Sequence, residues 1–250
     1  MPANPVYRSR EAKLPITLFH THHVTKALII QIIRERKSIE LDISHNRNSC
    51  YIGHHTSFYT DNQKPNNICL HEAIESLKTE RVFVKFDCKT PAAIPTVKSL
   101  IRQVGPDRSM IHGFVKELEF SPYPKEVHHS FHWQTESIKL YDLLRLKKET
   151  GNPPLQVSCR GLTEKRLHLE GIDVAERIES VLPTDVDVVN LNIHIPRNTV
   201  PPEWIMQRLY DRKKLLTEVY VDHVKDTPLP VPYFGTTNDL GSATVLYTSN

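Results

Sequence analysis

Residues 38–43 read Ser-Ile-Glu-Leu-Asp-Ile, a strict alternation of polar and apolar types. In an extended chain successive side chains point to opposite faces, so Glu40 and Asp42 share one face and Ile39, Leu41 and Ile43 the other. A second segment, 81–89, repeats the device: Val82, Val84, Phe86 and Cys88 form an apolar face, and Lys85, Asp87 and Lys89 a charged one. Glu40, Asp42 and Asp87 together are an all-oxygen donor set of the kind that holds one hard divalent cation, Mg2+ or Ca2+. His20 and His54 each follow an apolar segment. Imidazoles titrate near neutrality and can serve as general acid and base. Lys89 adds a fixed positive charge for a phosphate oxygen. Lys85 lies one layer deeper than Asp87 and reads as an internal ion-pair partner.

These residues need a scaffold that brings distant segments together. The chain alternates short apolar strands (14–19, 38–43, 82–89, 110–118, 155–160, 185–195, 216–223 and 243–248) with helical stretches, among them 24–37, 70–80, 90–104, 135–149, 163–181 and 201–214. Eight strand-helix units in 250 residues predict a single α/β domain over 1–250, a TIM (β/α)8 barrel with irregular last units. Five strands carry one polar face: besides the two above, Gln156/Ser158/Arg160, Asn190/Asn192/His194 and Glu218/Tyr220/Asp222. Parallel strands covered on both sides normally read as apolar throughout, so these polar faces point to a wet interior. An antiparallel sheet with one solvated face would give the same alternation, but the intervening helices argue against it. His112 and His194 read as rim residues, and Trp204 and Tyr210 as core.

Composition narrows the partners. A net charge of +3 without long Lys/Arg runs excludes an electrostatic nucleic-acid footprint. No apolar run reaches bilayer length, which predicts no integral membrane segment. Cys50, Cys69, Cys88 and Cys159 show no C-x-x-C spacing, as expected of reduced thiols in a cytoplasmic protein.

The order His20, Glu40-Leu41-Asp42, His54 and Asp87-Cys88-Lys89 resembles the phosphodiesterase superfamily of glycerophosphodiester phosphodiesterases and sphingomyelinase D, a TIM-barrel group, and 84–89 is similar to its menorin-like branch. The detailed likeness covers residues 16–89. It implies a metal-dependent phosphodiesterase whose partner is a small phosphodiester or lipid headgroup, and in which Glu40, Asp42 and Asp87 bind the cation, Lys89 neutralises the phosphodiester, and His20 and His54 share acid and base roles. The chain departs from the glycerophosphodiesterase pattern after each histidine, with Thr21-His22 in place of Arg-Gly and His55 in place of Asp. Arg160 on the fifth strand is the candidate to replace the missing phosphate clamp. Two other readings compete. His20-Thr21-His22 is also a His-x-His pair, as in amidohydrolase-type or polymerase-and-histidinol-phosphatase-type barrels that bind Zn2+ or Mn2+. The lost Arg would equally suit a barrel that binds a phosphorylated ligand without turnover.

Overall fold

The computed structural model describes residues 17–19, 24–46, 49–53, 68–80, 82–120, 136–191, 200–220, 231 and 233–237. Eight parallel strands form a closed ring: β1 (Thr17–Phe19), β2 (Ser38–Asn46), β4 (Val84–Cys88), β5 (Ser109–Glu119), β6 (Leu155–Arg160), β7 (Val188–Asn190), β8 (Leu216–Tyr220) and β9 (Tyr233–Thr237). Each pairs with its two neighbours, and β1 closes the ring by pairing with both β2 and β9. The remaining strand, β3 (Ser49–Ile52), turns back antiparallel on the end of β2. Helices α1 (Lys26–Glu35), α2 (Leu70–Lys78), α3 (Ile94–Val104), α4 (Leu140–Glu149), α5 (Glu164–Val181) and α6 (Glu203–Lys213) fall between successive barrel strands. This is the expected α/β arrangement of the TIM-barrel type.

Local chemistry sets the element ends. Thr25 Oγ1 accepts Leu28 N–H at 3.1 Å and Thr163 Oγ1 accepts Arg166 N–H at 3.1 Å, so α1 and α5 start on side-chain caps. Proline opens α3 within its first two positions, and Pro202 precedes α6. In α3 the residues Val97, Leu100, Ile101 and Val104 recur at helical spacing and are buried. That stripe packs on the apolar strand faces. Ile39, Leu41, Ile43, Val84, Phe86 and Cys88 join Ile29, Ile32, Val97 and Ile101 in one core cluster. The alternation in 38–43 and 82–89 therefore divides as expected, with apolar residues under the helices and acids and bases turned into the barrel.

Three expectations are corrected. The strand that closes the ring, Tyr233–Thr237, was not among those expected, and the strand expected over 243–248 lies outside the described residues. Pro228, Pro230 and Pro232 crowd the sequence just before it, and prolines at that density read as loop. The helix expected over 135–149 begins at Leu140, because Ile138 is drawn into a parallel bridge with Val115. Trp204 is 46% exposed rather than core. It lies against Gly171, where a Cβ would come within 2.7 Å of its ring, next to the break in α5 at Glu170. Cys88 and Cys159 are buried as small hydrophobes, and all four cysteines are free. No helix among the described residues is long and apolar enough to cross a membrane.

Helices α5 and α6 are joined by a charged clamp. Arg208 donates to Glu179 from Nε at 2.6 Å and from Nη2 at 3.1 Å, and Arg212 Nη1 adds a bond at 3.1 Å. The bonds from Arg208 hold the Glu179 carboxyl below the usual glutamate range. A carboxyl lowered on folding stabilises the protein above its unfolded pKa, and the contribution disappears as pH falls through the folded value. Glu179→Gln is expected to cost about 1 kcal/mol at pH 7. In urea titrations at pH 7 and pH 3 the gap between variant and parent should narrow at the lower pH; an equal gap at both would contradict the clamp.

Candidate functional site

The barrel interior is built in layers. At the base, Phe83, Met110, Val188, Leu216 and Phe234 form an apolar cluster that closes the lumen. Above it the inward residues turn polar. Parallel pairing aligns Glu40 with Lys85 and Asp42 with Asp87, then Asp87 with His112, and His112 with Gln156. Residues aligned across parallel strands share a face, so four strands place their polar side chains side by side.

The lower polar layer is centred on Lys85. Its Nζ lies 2.9 Å from Glu40 Oε2 and 3.1 Å from Glu218 Oε1. Strands β4 and β8 are opposite in the ring, so the second contact spans the lumen. Glu218 Oε2 accepts Gln156 Nε2 at 2.9 Å and Asn190 Nδ2 as well. Burial by itself drives an ammonium to lose its proton. Here Glu218, Glu40 and Asp87 outweigh it and raise Lys85 above the ordinary lysine range. The expectation of Lys85 as an internal ion-pair partner is thus met; Glu218 as its second partner was not singled out from the sequence.

The upper layer holds Asp42, Asp87, Lys89 and His112, all buried. Lys89 Nζ lies 2.9 Å from Asp42 Oδ1 and also bonds to Asp87 Oδ2. Burial opposes the charge on Asp87, but His112 and Lys89 overcome it and hold the carboxyl below the usual aspartate range. Lys89 is raised, because Asp42 and Asp87 exceed the effect of burial. His112 Nδ1 is 3.0 Å from Asp87 Oδ1 and 3.9 Å from Glu40 Oε1, and its Nε2 is 2.6 Å from Ser158 Oγ. Backbone bonds fix the ends of the acid-bearing strands: Gly53 N–H reaches Asp42 O at 2.9 Å and Lys89 N–H reaches Ile43 O at 2.9 Å. Gly53 takes φ 121°, which L side chains avoid.

Four buried carboxylates, Glu40, Asp42, Asp87 and Glu218, face two buried ammonium groups, Lys85 and Lys89, among the described residues of the interior. Buried charge must be compensated, and this excess of negative charge equals that of a divalent cation. The donor types agree. Ligand atoms of Glu40, Asp87 and His112 all lie within 4.8 Å of one another. The site fits a divalent ion, with a different emphasis from the sequence reading. Asp42, expected among the ligands, faces Lys89, while His112, expected at the rim, lies inside next to Asp87. The signal for His112 was available in the inward parity of Met110 and His112, but its meaning depended on pairing with Asp87.

Of the other expected site residues, His20 and His54 lie outside the described residues, as does His22. Arg160 ends β6 on the inward parity of Ser158, two residues further on. Its Nη1 is 3.9 Å from Glu119 Oε1 and its guanidinium lies 5.2 Å over the Phe114 ring.

Comparison with known proteins gives a likeness of fold. No protein family matches the sequence, and no curated protein does. Among solved structures, an HpcH/HpaI aldolase from Desulfitobacterium hafniense DCB-2 is similar at TM-score 0.51 and 9% identity, over 94% of this chain and 91% of that one. A glycerophosphoryl diester phosphodiesterase from Parabacteroides distasonis ATCC 8503 gives TM-score 0.49 and 11% identity over 90% and 83%. A glycerophosphodiester phosphodiesterase from Agrobacterium tumefaciens str. C58 gives 0.47 and 12% over 90% and 95%.

The Lys85 layer makes a stability prediction. Lys85→Met leaves Glu40 and Glu218 buried without their shared ammonium and is expected to cost about 3–5 kcal/mol. Adding Glu218→Gln removes one of the stranded charges and should recover part of the loss. Urea denaturation of the two single variants and the double variant measures the coupling; strictly additive losses would mean that the pair does not interact.

Proposed function

We propose that the chain is a cytoplasmic metal-dependent phosphodiesterase, one domain over 1–250, acting on a glycerophosphodiester or a related lipid-derived phosphodiester. The observation that carries this reading is the buried constellation of Glu40, Asp42, Asp87, Lys89 and His112, an acid-rich cluster at the interior of a parallel barrel with negative charge in excess. The order of His20, Glu-x-Asp, His54 and Asp-x-Lys along the sequence supports the reaction class. A divalent cation, when bound, supplies charge neutralisation at a non-bridging phosphodiester oxygen. Glu40, Asp42 and Asp87 are the carboxylates that would hold it, and with carboxylate oxygens alone the ion would be Mg2+ or Ca2+.

The chain's own groups do the rest. An ammonium has three N–H donors. Two of those on Lys89 are directed at Asp42 and Asp87, and the third serves a substrate oxygen. Arg160, whose guanidinium lies over the Phe114 ring, would serve as a second phosphate contact. One of His20 and His54 removes the proton from the attacking oxygen while the other protonates the leaving oxygen. The four free cysteines agree with a reducing compartment.

Hydrolysis of bis(p-nitrophenyl) phosphate by chelator-stripped protein, with Mg2+, Ca2+, Mn2+ and Zn2+ restored singly, tests the proposal. Activity should return with a divalent ion. His20→Ala and His54→Ala should each lower kcat by about 10²–10⁴-fold. Glu40→Gln and Asp42→Asn should abolish the metal response while circular dichroism stays native, because removing crowded like charges relieves repulsion. Absence of turnover with every ion, alongside saturable thermal stabilisation by a phosphodiester, would instead make the chain a ligand-binding barrel.

A further inference from the structure

Both acids nearest His112 divide their oxygens in the same way. Glu40 turns Oε2 to Lys85 and Oε1 towards His112, at 2.9 and 3.9 Å. Asp87 turns Oδ2 to Lys89 and Oδ1 to His112 Nδ1 at 3.0 Å. The lysines neutralise the outer oxygens, and the inner ones converge on one imidazole nitrogen. His112 Nδ1 and Asp87 Oδ1 are buried and face each other at 3.0 Å, with no other hydrogen-bond partner among the described residues. The ring's other nitrogen is held by Ser158 Oγ at 2.6 Å. When that nitrogen carries the proton and donates to Ser158, Nδ1 presents a lone pair to two carboxylate oxygens. In that tautomer the Nδ1 lone pair faces those of Asp87 Oδ1 at 3.0 Å in a dry interior, a repulsion that a cation held by both removes.

We infer that His112 Nδ1 is a direct ligand of the cation, oriented by Ser158, and that the centre is a mixed nitrogen and oxygen site that takes Mn2+ or a similar borderline ion in preference to Mg2+ or Ca2+. The inference rests on the proposed metal-dependent function and specifies its cofactor. Two ligands about 2.1 Å from one ion stand about 3.0 Å apart at a right angle and about 4.2 Å apart when opposed. The His112 separations fall within that span. Imidazole favours later divalent ions of the first transition row, whereas Mg2+ and Ca2+ favour oxygen. A partner on the second ring nitrogen, the role of Ser158, sets the tautomer of a ligating histidine. His112 acts here as a ligand and Ser158 as a positioning residue.

Titration of the chelator-stripped full chain with Mn2+, followed by continuous-wave and pulsed electron paramagnetic resonance, reads this without reference to activity. One Mn2+ per chain is expected, with nitrogen modulation from an imidazole, and Mg2+ should displace it only at more than about tenfold excess. His112→Asn should remove the modulation and weaken Mn2+ by about 10–100-fold; His112→Gln takes its place should the first variant not fold. Ser158→Ala should keep the modulation and weaken Mn2+ by about tenfold. Mn2+ bound without nitrogen modulation overturns the inference and leaves a carboxylate-held cation standing. Modulation that persists in a folded His112 variant also overturns it, since another histidine is then the ligand. No Mn2+ bound by the parent protein overturns the inference, and calorimetric titration that also finds no Mg2+ or Ca2+ bound removes the metal-dependent reading with it.

Discussion

The interior of this barrel depends on Lys85 lying between Glu40 and Glu218. A charge taken out of water is tolerated only where an opposite charge and hydrogen bonds replace the solvent. Lys85 is one of the largest fully buried side chains, and its ammonium meets a carboxylate on the neighbouring strand and another on the opposite wall. Glu218 is braced in turn by Gln156 and Asn190. Five strands are therefore tied at one level by polar contacts, directly above an apolar plug of Phe83, Met110, Val188, Leu216 and Phe234. The acids of the upper layer are positioned on this platform.

Above it the charges are arranged by difference. Lys89 engages Asp42 and Asp87, Lys85 engages Glu40 and Glu218, and the second oxygens of Glu40 and Asp87 turn towards His112. His112 and Lys89 hold Asp87 below the usual aspartate range, and the acids around Lys85 and Lys89 hold both lysines above theirs. The two lysines also limit how much negative charge remains on the four buried carboxylates of the interior.

TIM barrels host many unrelated reactions, so the fold by itself assigns none. The functional reading stands on particular side chains and their order. Glu-x-Asp on one strand and Asp-x-Lys on the next are close in space because those strands pair in parallel with Asp42 beside Asp87. The same register brings His112 into the group.

From the sequence alone, the alternation in 38–43 and 82–89 determined which residues face the helices and which face the interior, because strand periodicity is a local property of the chain. The alternation of strands and helices likewise pointed to a parallel α/β sheet, and the count of eight units to a barrel, while its closure rests on β1 pairing with both β2 and β9. Glu40, Asp42, Asp87 and Lys89 were legible for the same reason. What tertiary structure decided is which buried charges meet. That Glu218 belongs to Lys85, 133 residues away in sequence, follows from two strands standing on opposite walls. That Asp42 meets Lys89, and that His112 stands beside Asp87, follows from strand register and side-chain reach. The position of the last strand was also a tertiary matter, because Tyr233–Thr237 is short and carries little pattern of its own, and pairing with β8 and β1 is what makes it a strand.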